Sequence, residues 1–314
     1  MRIRSFILGL TVLALFASAC TKGDCQKDAI SFAPVASKPT KAIISGTTYP
    51  TGESFKVSAF HNGTAAYFEG LTASRISENL WETSSSQYWP LGGSLLFHAY
   101  SPASANATIG ASGVSVSGYT IQNTTQMETD FCYASATVAN CDSHPNAVPL
   151  AFSHALSQVV FRVKAASYYA NTTLTLNSLS IAGIYSVGDF TGSAWENQDT
   201  EYTYNLSSTP TNLTYDGNTP VVTDVCSFLF IPQEFGANAA LRVGYGIKQT
   251  ISGTDYTLTN QPVSIPLFGS SLAAWEMGKK YIYTINIGMD NVITFTASTV
   301  GWQDENDNII VEEN

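Results

Sequence analysis

The 314-residue sequence carries unusually little charge. Only 12% of its residues are charged, with 14 Lys and Arg against 24 Asp and Glu, which is about half the usual share. Outside the first few residues it has no cluster of Lys or Arg. It therefore lacks the basic surface that a protein needs to bind phosphates along a nucleic acid, and we predict no nucleic-acid partner.

Long apolar segments and heptad repeats are also missing. No apolar run reaches about 18 residues, the length that a membrane-spanning helix needs, and this excludes a polytopic membrane protein. Without heptads the chain cannot form a long coiled coil. The 44% of hydrophobic residues still suffices for a sizeable core, so a disordered chain is excluded as well.

The short motifs of catalysis and cofactor binding are absent. The sequence contains no Gly-X-Ser-X-Gly elbow, phosphate loop or dinucleotide fingerprint. Its four His, at positions 61, 98, 144 and 154, include no i, i+4 pair, and its cysteines lack the spacing of zinc ligands. We predict a protein that is not an enzyme and has no catalytic residue, metal site or cofactor.

Hydroxyl and aromatic residues take the place of the missing charge. The chain has 35 Ser, 34 Thr, 16 Tyr and 16 Phe, together with 23 Gly and 12 Pro. Thr and aromatic residues favour strands, and Gly, Pro and Ser favour turns. Short runs that alternate apolar and polar residues recur between turn clusters, for example at 54–60, 94–100 and 281–287. This pattern predicts an all-β fold of sandwich type.

Turn residues are densest at 141–149, so we place a domain boundary near residue 148. The predicted domains are an N-terminal sandwich at 42–147 and a C-terminal sandwich at 148–314. Residues 20–41 form a polar leader that contains one extended apolar piece, 29–35. Pro34 cannot donate a hydrogen bond within a sheet, and an edge strand or a detachable strand therefore fits this piece best.

The N-terminus resembles an export signal. Arg2 and Arg4 precede a short apolar stretch at 5–16, and small residues lead into Cys20, which is the anatomy of a secretory signal peptide at 1–19. The small residues before Cys20 resemble the bacterial lipoprotein box, so we predict lipidation of Cys20 and anchoring in the outer membrane. An exported Cys beside an ordinary cleavage site is the alternative.

Two further pairs of residues are candidate sites. Cys132 and Cys141 flank a loop-like stretch, and export permits a disulfide between them. Trp81 and Trp89 are candidates for a surface on which sugar rings stack. Burial as core anchors at strand ends is the alternative for both tryptophans.

Several segments, taken in order, resemble the fimbrillin family of Bacteroidales lipoproteins. These segments are TKAIISGTTYPTGESFKVSAF at 40–60, VPLAFSHALSQVVF at 148–161, GDF at 188–190 with Trp195, FLFIPQ at 228–233, WEMGKKYIY at 275–283 and VGW at 300–302. No segment is decisive alone, and the resemblance rests on their order and spacing.

The resemblance implies two transthyretin-like β-sandwich domains in tandem and a role as a fimbrial subunit or as a tip or anchor protein. In that family a protease specific for basic residues removes the leader with its first strand, and another subunit adds a strand in its place. Here the implied cut follows Lys41, or else Lys38, and residues 308–313 are a candidate donor strand. The implied partners are other fimbrial subunits and a host or bacterial surface ligand. A surface lipoprotein that binds glycans without catalysis is the alternative function.

Overall fold

The computed structural model describes residues 28–36, 49–50, 52–138, 143–267, 272–289 and 293–302. Up to residue 138 the elements are β1 (Ser31–Ala36), β2 (Phe55–His61), β3 (Ala65–Ser77), β4 (Leu80–Thr83), β5 (Leu95–Ser101), β6 (Thr108–Gly110), β7 (Gly113–Thr120), α1 (Thr124–Met127) and β8 (Cys132–Val138). They continue with β9 (Val148–His154), β10 (Ser157–Ala165), β11 (Thr172–Phe190), β12 (Trp195–Ser207), β13 (Thr211–Asn212), β14 (Tyr215–Asp216) and β15 (Thr219–Pro220). The last are β16 (Thr223–Phe230), β17 (Gln233–Glu234), β18 (Ala240–Ile251), β19 (Thr254–Pro266), β20 (Ala274–Trp275), β21 (Lys279–Ile287) and β22 (Ile293–Gly301).

Seven strands of the N-terminal part form a closed barrel in the order β1-β4-β3-β2-β5-β8-β9. All neighbours in the barrel are antiparallel except β1 and β9, which are parallel. Alternate residues of each strand point inward, and aromatic rings fill much of the interior. The buried rings are those of Phe32, Tyr49, Phe55, Phe68, Trp81, Trp89, Phe97 and Phe152.

The C-terminal part contains a second core between two sheets. One sheet has the order β16-β10-β21-β22, and the other has the order β19-β18-β11-β7-β6, with β12 and β13 also paired to β11. Val159 and Tyr283 from the first sheet and Leu176 and Val243 from the second belong to one buried cluster. Two sheets that share a core in this way form a β-sandwich.

The strand β11 is long because two irregularities change which face its side chains occupy. Leu174 and Leu176 are buried, the register then shifts near Ser178, and Leu179 and Ile181 are buried next. A second shift follows between Ile181 and Ile184. One extra residue in a strand reverses its alternation, and β11 therefore keeps its Leu and Ile side chains in the core as far as Ile184.

Gly183 occupies the second irregularity, and we expect it to resist substitution. Its φ is +67°, and an added Cβ would overlap the backbone of Asn238. A left-handed backbone costs roughly 1–2 kcal/mol for a residue with a Cβ, so Gly183→Ala should lower the free energy of unfolding by about 2 kcal/mol or more, measured by urea denaturation. Gly110→Ala is the matched control, because the atom nearest to its added Cβ is Oγ of Ser112, at 4.0 Å. If the two variants unfolded at the same urea concentration, the requirement for glycine at position 183 would be contradicted.

The all-β prediction is confirmed. Among the described residues the one helix is α1, whose N-terminus is closed by reciprocal hydrogen bonds between Asn123 and Gln126. No helix in this described part has the length and apolar character needed to cross a membrane. Residue 148 does not separate the strands of the two cores. The strand β9, which begins at residue 148, lies in the barrel, whereas β7, which precedes it, pairs with β11 of the sandwich. The division into domains at 42–147 and 148–314 stays a prediction.

Candidate functional site

The strand β1 occupies a slot between β4 and β9. Its main contact is the parallel pairing with β9, which runs from Phe32 opposite Val148 to Ala36 opposite Phe152. Its pairing with β4 covers only Ser31 and Phe32. Just before β1, the amide of Ile30 donates a hydrogen bond to the carbonyl oxygen of Gln87 at 2.7 Å. Without β1, the barrel would therefore have open edges at β4 and β9.

The apolar side chains of Ile30, just before β1, and Phe32 are buried at alternate positions, and Ser31 between them is buried as well. Phe32 has no exposed surface, whereas Val35 is 40% exposed. The ring of Phe32 meets the rings of Phe55 and Phe97 edge to face, at centroid distances of 5.9 and 5.7 Å. Such aromatic pairs add about 0.5–1.5 kcal/mol beyond their buried area. Phe32 is thus an integral part of the barrel core.

Pro34 lies where β1 has only one neighbour. The pairing with β4 ends at Phe32, and Pro34 pairs with Leu150 of β9 alone. A proline in this one-sided stretch leaves no ladder hydrogen bond to β4 missing. The sequence predicted an edge position, and this holds for the part of β1 around Pro34, which pairs with β9 alone. The strand as a whole lies between β4 and β9.

The residues predicted for lipidation and processing, Cys20, Lys38 and Lys41, lie outside the described residues, and so do residues 308–313. Lys38 and Lys41 belong to the stretch between β1 and Tyr49, where the described chain resumes. Their roles stay predictions.

The predicted glycan-stacking residues are core residues of the closed barrel. Trp81 is 1% exposed and Trp89 is 2% exposed. Tyr49 packs edge to face against Trp81, and His144 stacks on Trp89 at 4.6 Å. Neither indole offers a face to a sugar in this barrel, and the position of both rings matches the alternative of core anchors.

Three side chains of different chemistry meet at one end of β8 and β9. The Nδ1 atom of His154 is 2.6 Å from Oδ2 of Asp130, and the Cys132 thiol donates to the same Oδ2 at 3.3 Å. The Sγ of Cys132 also lies 3.5 Å from Nδ1 of His154. All three residues are buried, and the ring of Trp302 stacks on His154 at 4.0 Å.

This cluster does not have the geometry of a nucleophilic triad. In such a triad the acid and the nucleophile contact opposite ring nitrogens of the histidine, whereas Asp130 and Cys132 both lie next to Nδ1 of His154. Burial, followed by the nearby charge of Asp130, raises the pKa of the Cys132 thiol well above its usual range. A thiol that stays protonated is a poor nucleophile.

Sequence reasoning missed this cluster because its members are distant along the chain. Asp130 and Cys132 lie in one loop and strand, and β-pairing brings His154 directly opposite Cys132. The signal in the sequence is weak, since only the register between β8 and β9 creates the contact. Cys132 has a free thiol in the structure. Its predicted disulfide partner, Cys141, lies outside the described residues, and that pairing stays a prediction.

A cleft of about 800 Å³ opens on the C-terminal sandwich, between β12, β17 and β20. Its polar side chains include Gln198, Gln233, Glu234 and Glu276. The amide of Gln198 donates to the carbonyl oxygen of Pro232, and Gln233 bonds to both backbone groups of Tyr185. Gln233 therefore uses both groups of its amide within the protein, and Gln198 uses its amide nitrogen.

Comparison with known proteins places the chain in one family. The model of the fimbrillin-like family matches residues 40–302. No curated protein matches the sequence.

Solved structures share the fold at low sequence identity. A fimbrial protein from Bacteroides vulgatus is 19% identical, with a TM-score of 0.59 over 79% of this chain and 93% of that chain. A candidate cell adhesion protein from Bacteroides uniformis is 15% identical, with a TM-score of 0.52 over 88% of this chain and 100% of that chain. These likenesses extend over nearly the whole of both relatives. Because the family match spans both the barrel and the sandwich, the chain belongs to the fimbrillin-like family, as the order of its sequence segments indicated.

Proposed function

We propose that the protein is a structural subunit, or a tip or anchor component, of a cell-surface fimbria that mediates adhesion. Assembly occurs by β-strand addition after proteolysis removes β1. One observation carries this proposal: β1 completes the barrel yet lies before residue 40, where the family match begins. The family pattern therefore covers the barrel without the strand that closes it.

The contacts of β1 suit a strand that can be exchanged. Its backbone pairs with β9 over five residues and with β4 over two, and the apolar side chains of Ile30 and Phe32 are buried at alternate positions. Removing it exposes unpaired backbone on two strands, and such an edge readily accepts another strand. Cleavage after Lys38 or Lys41 would cut the covalent link between β1 and the rest of the barrel.

The incoming strand has to repeat the pattern of β1. It must place apolar side chains at alternate positions, where Ile30 and Phe32 lie, and run parallel to β9. In residues 308–313, Ile309 and Val311 have this spacing, so the C-terminal end of another subunit is our proposed donor.

The proposal includes a location. An export signal at 1–19 and acylation of Cys20 would hold the precursor in the outer membrane, and processing would pass it to the cell surface. The names of the two structural relatives, a fimbrial protein and a candidate cell adhesion protein, support this location. The proposed partners are other fimbrial subunits and a ligand on a host or bacterial surface.

Limited proteolysis of the full chain tests the proposal. A protease that cuts after Lys is expected to remove the leader, and the processed protein should form a ladder of strand-exchanged oligomers on unheated gels. The double variant Lys38→Gln, Lys41→Gln should keep β1 and stay monomeric, because the lysines that remain in the leader, Lys22 and Lys27, precede β1. Lys248→Gln, which alters an exposed lysine of β18 paired with Asp255, is the matched control and should assemble normally.

Two results would contradict the proposal. The first is a wild-type protein that loses its leader and remains monomeric. The second is a double variant that assembles as well as Lys248→Gln while β1 is still attached. N-terminal sequencing of the protein from the cell surface adds an independent measurement, because the processed subunit is expected to begin at Ala42.

A further inference from the structure

The cluster of Asp130, Cys132 and His154 combines an oxygen, a sulfur and a nitrogen ligand atom. These atoms all lie within 4.8 Å of one another. The side chains come from neighbouring positions, because Cys132 and His154 are opposite each other in the ladder of β8 and β9. Their relative position is therefore set by backbone hydrogen bonds, which gives the cluster a rigid base.

The hydrogen bonds of the cluster leave one polar atom without a partner. Oδ2 of Asp130 accepts from both Cys132 and His154, whereas Oδ1 is buried and has no hydrogen-bond partner among the described residues. Asp130 is only 3% exposed. Buried polar atoms normally have partners, and leaving one without a partner is unfavourable. This orphaned oxygen indicates that the cluster lacks a positively charged or donating ligand.

We infer that Asp130, Cys132 and His154 form a binding site for a divalent transition-metal ion of the zinc class. Zinc binds sulfur, imidazole nitrogen and carboxylate oxygen, whereas magnesium and calcium prefer oxygen alone. A thiolate and a carboxylate also neutralise the two charges of the ion, so the buried site carries no net charge. The fourth position of a tetrahedral ion would be filled by water.

The observed distances require only a small adjustment. With usual metal–ligand bond lengths, the ligand atoms of tetrahedral zinc are separated by about 3.3–3.6 Å. The distances from Sγ of Cys132 are 3.3 Å to Asp130 and 3.5 Å to His154. Only Nδ1 and Oδ2, at 2.6 Å, must separate further. On binding, the thiol proton leaves to solvent, Nδ1 of His154 becomes the ligand, and the imidazole carries its proton on Nε2.

Binding would connect the barrel to the C-terminal strand. The ring of Trp302, which directly follows β22, stacks on the imidazole of His154. An ion bound to Nδ1 would hold that imidazole at its edge, while Trp302 covers one face of the ring. Since a ligand of the native state stabilises it by mass action, the ion should raise the temperature at which this part of the molecule unfolds.

Titration of the reduced full chain with Zn²⁺ and Co²⁺ tests the inference. We expect one ion per chain, a sulfur-to-cobalt charge-transfer absorption, and a change in tryptophan fluorescence. Cys132→Ser should remove the charge-transfer band and weaken binding by at least about 10–100-fold, the loss typical of perturbing a single metal-site residue. Cys226→Ser is the matched control, because Cys226 is the other free cysteine of the described residues and lies on β16. It should bind like the wild type.

Asp130→Asn provides a second test that keeps the shape of the side chain. It should weaken zinc binding while circular dichroism shows an unchanged fold, and a merely structural hydrogen bond would not produce a loss of affinity. The inference is overturned if the wild type binds no stoichiometric ion, or if Cys132→Ser binds as tightly as Cys226→Ser. Recovery of Cys132 in a disulfide with Cys141 from the native protein would also overturn it.

Discussion

Locking β1 to β9 is expected to abolish assembly. In the variant Val35→Cys, Ala151→Cys the two new thiols would face each other, because Val35 pairs with Ala151 in the parallel ladder. Both positions are exposed, and neighbouring strands lie about 4.7–4.9 Å apart, within the range that a disulfide can bridge. The bond would hold β1 in its slot even after cleavage at Lys41, so no other strand could enter.

The measurement compares oxidised and reduced protein. After leader cleavage, oxidised protein should give no ladder on unheated gels, and reduction should restore the ladder to the wild-type level. The single variants Val35→Cys and Ala151→Cys are the matched controls, because each introduces one thiol and cannot form the crosslink. Assembly that is equal before and after reduction would show that β1 does not need to leave.

The distribution of apolar residues accounts for most of what could be predicted of the fold. Alternation of apolar and polar residues correctly indicated an all-β chain, because each strand buries one face. Within the sequence of β11, however, the same alternation is interrupted, so the pattern suggests several short strands where the structure has one. Leu174 with Leu176, and Leu179 with Ile181, are on opposite phases in the sequence, and the irregularity near Ser178 joins them into one strand. A search for alternation with a period of two ends a strand wherever a bulge adds one residue, so it cannot distinguish a bulge from the end of a strand.

Contacts between distant parts of the chain were much harder to predict. Pro34 correctly indicated that its piece of strand has a free side, but nothing in the sequence shows that β1 closes a barrel between β4 and β9. The cluster of Asp130, Cys132 and His154 likewise depends on the register of β8 with β9. Residue type also fails to separate a buried tryptophan from a binding surface, as Trp81 and Trp89 illustrate.

The position of β1 would meet two needs of a subunit that assembles as proposed. A barrel with open edges at β4 and β9 would tend to aggregate before it reached its site of assembly. A closed barrel is protected, but it has no place for a partner. In the proposed assembly, a strand joined to the barrel through residues 37–48, which include Lys38 and Lys41, would keep the slot covered until proteolysis, and the cut would then turn a protected edge into an acceptor.

Replacing Phe32 with Ala should strongly destabilise the uncleaved protein. Phe32 has no exposed surface and contacts the rings of Phe55 and Phe97. Truncating a buried Phe typically lowers the free energy of unfolding by about 3–5 kcal/mol. Urea denaturation followed by tryptophan fluorescence measures this change, because Trp81 and Trp89 of the barrel contribute to the signal, together with the tryptophans of the sandwich.

Val35→Ala is the matched control, because Val35 lies on the same strand with its side chain 40% exposed. We expect it to change the free energy of unfolding by less than about 1 kcal/mol. The decisive comparison follows leader cleavage: once β1 has left, Phe32→Ala and the wild type are the same molecule and should unfold at the same urea concentration. A difference that persists in the cleaved, purified protein would show that β1 remains bound. Equal stability of Phe32→Ala and Val35→Ala before cleavage would mean that Phe32 does not complete the core.

The same variant should also change the rate of assembly. Because Phe32 has no exposed surface and packs in the barrel core, Phe32→Ala should release β1 sooner after the cut. The oligomer ladder should therefore appear faster with Phe32→Ala than with Val35→Ala.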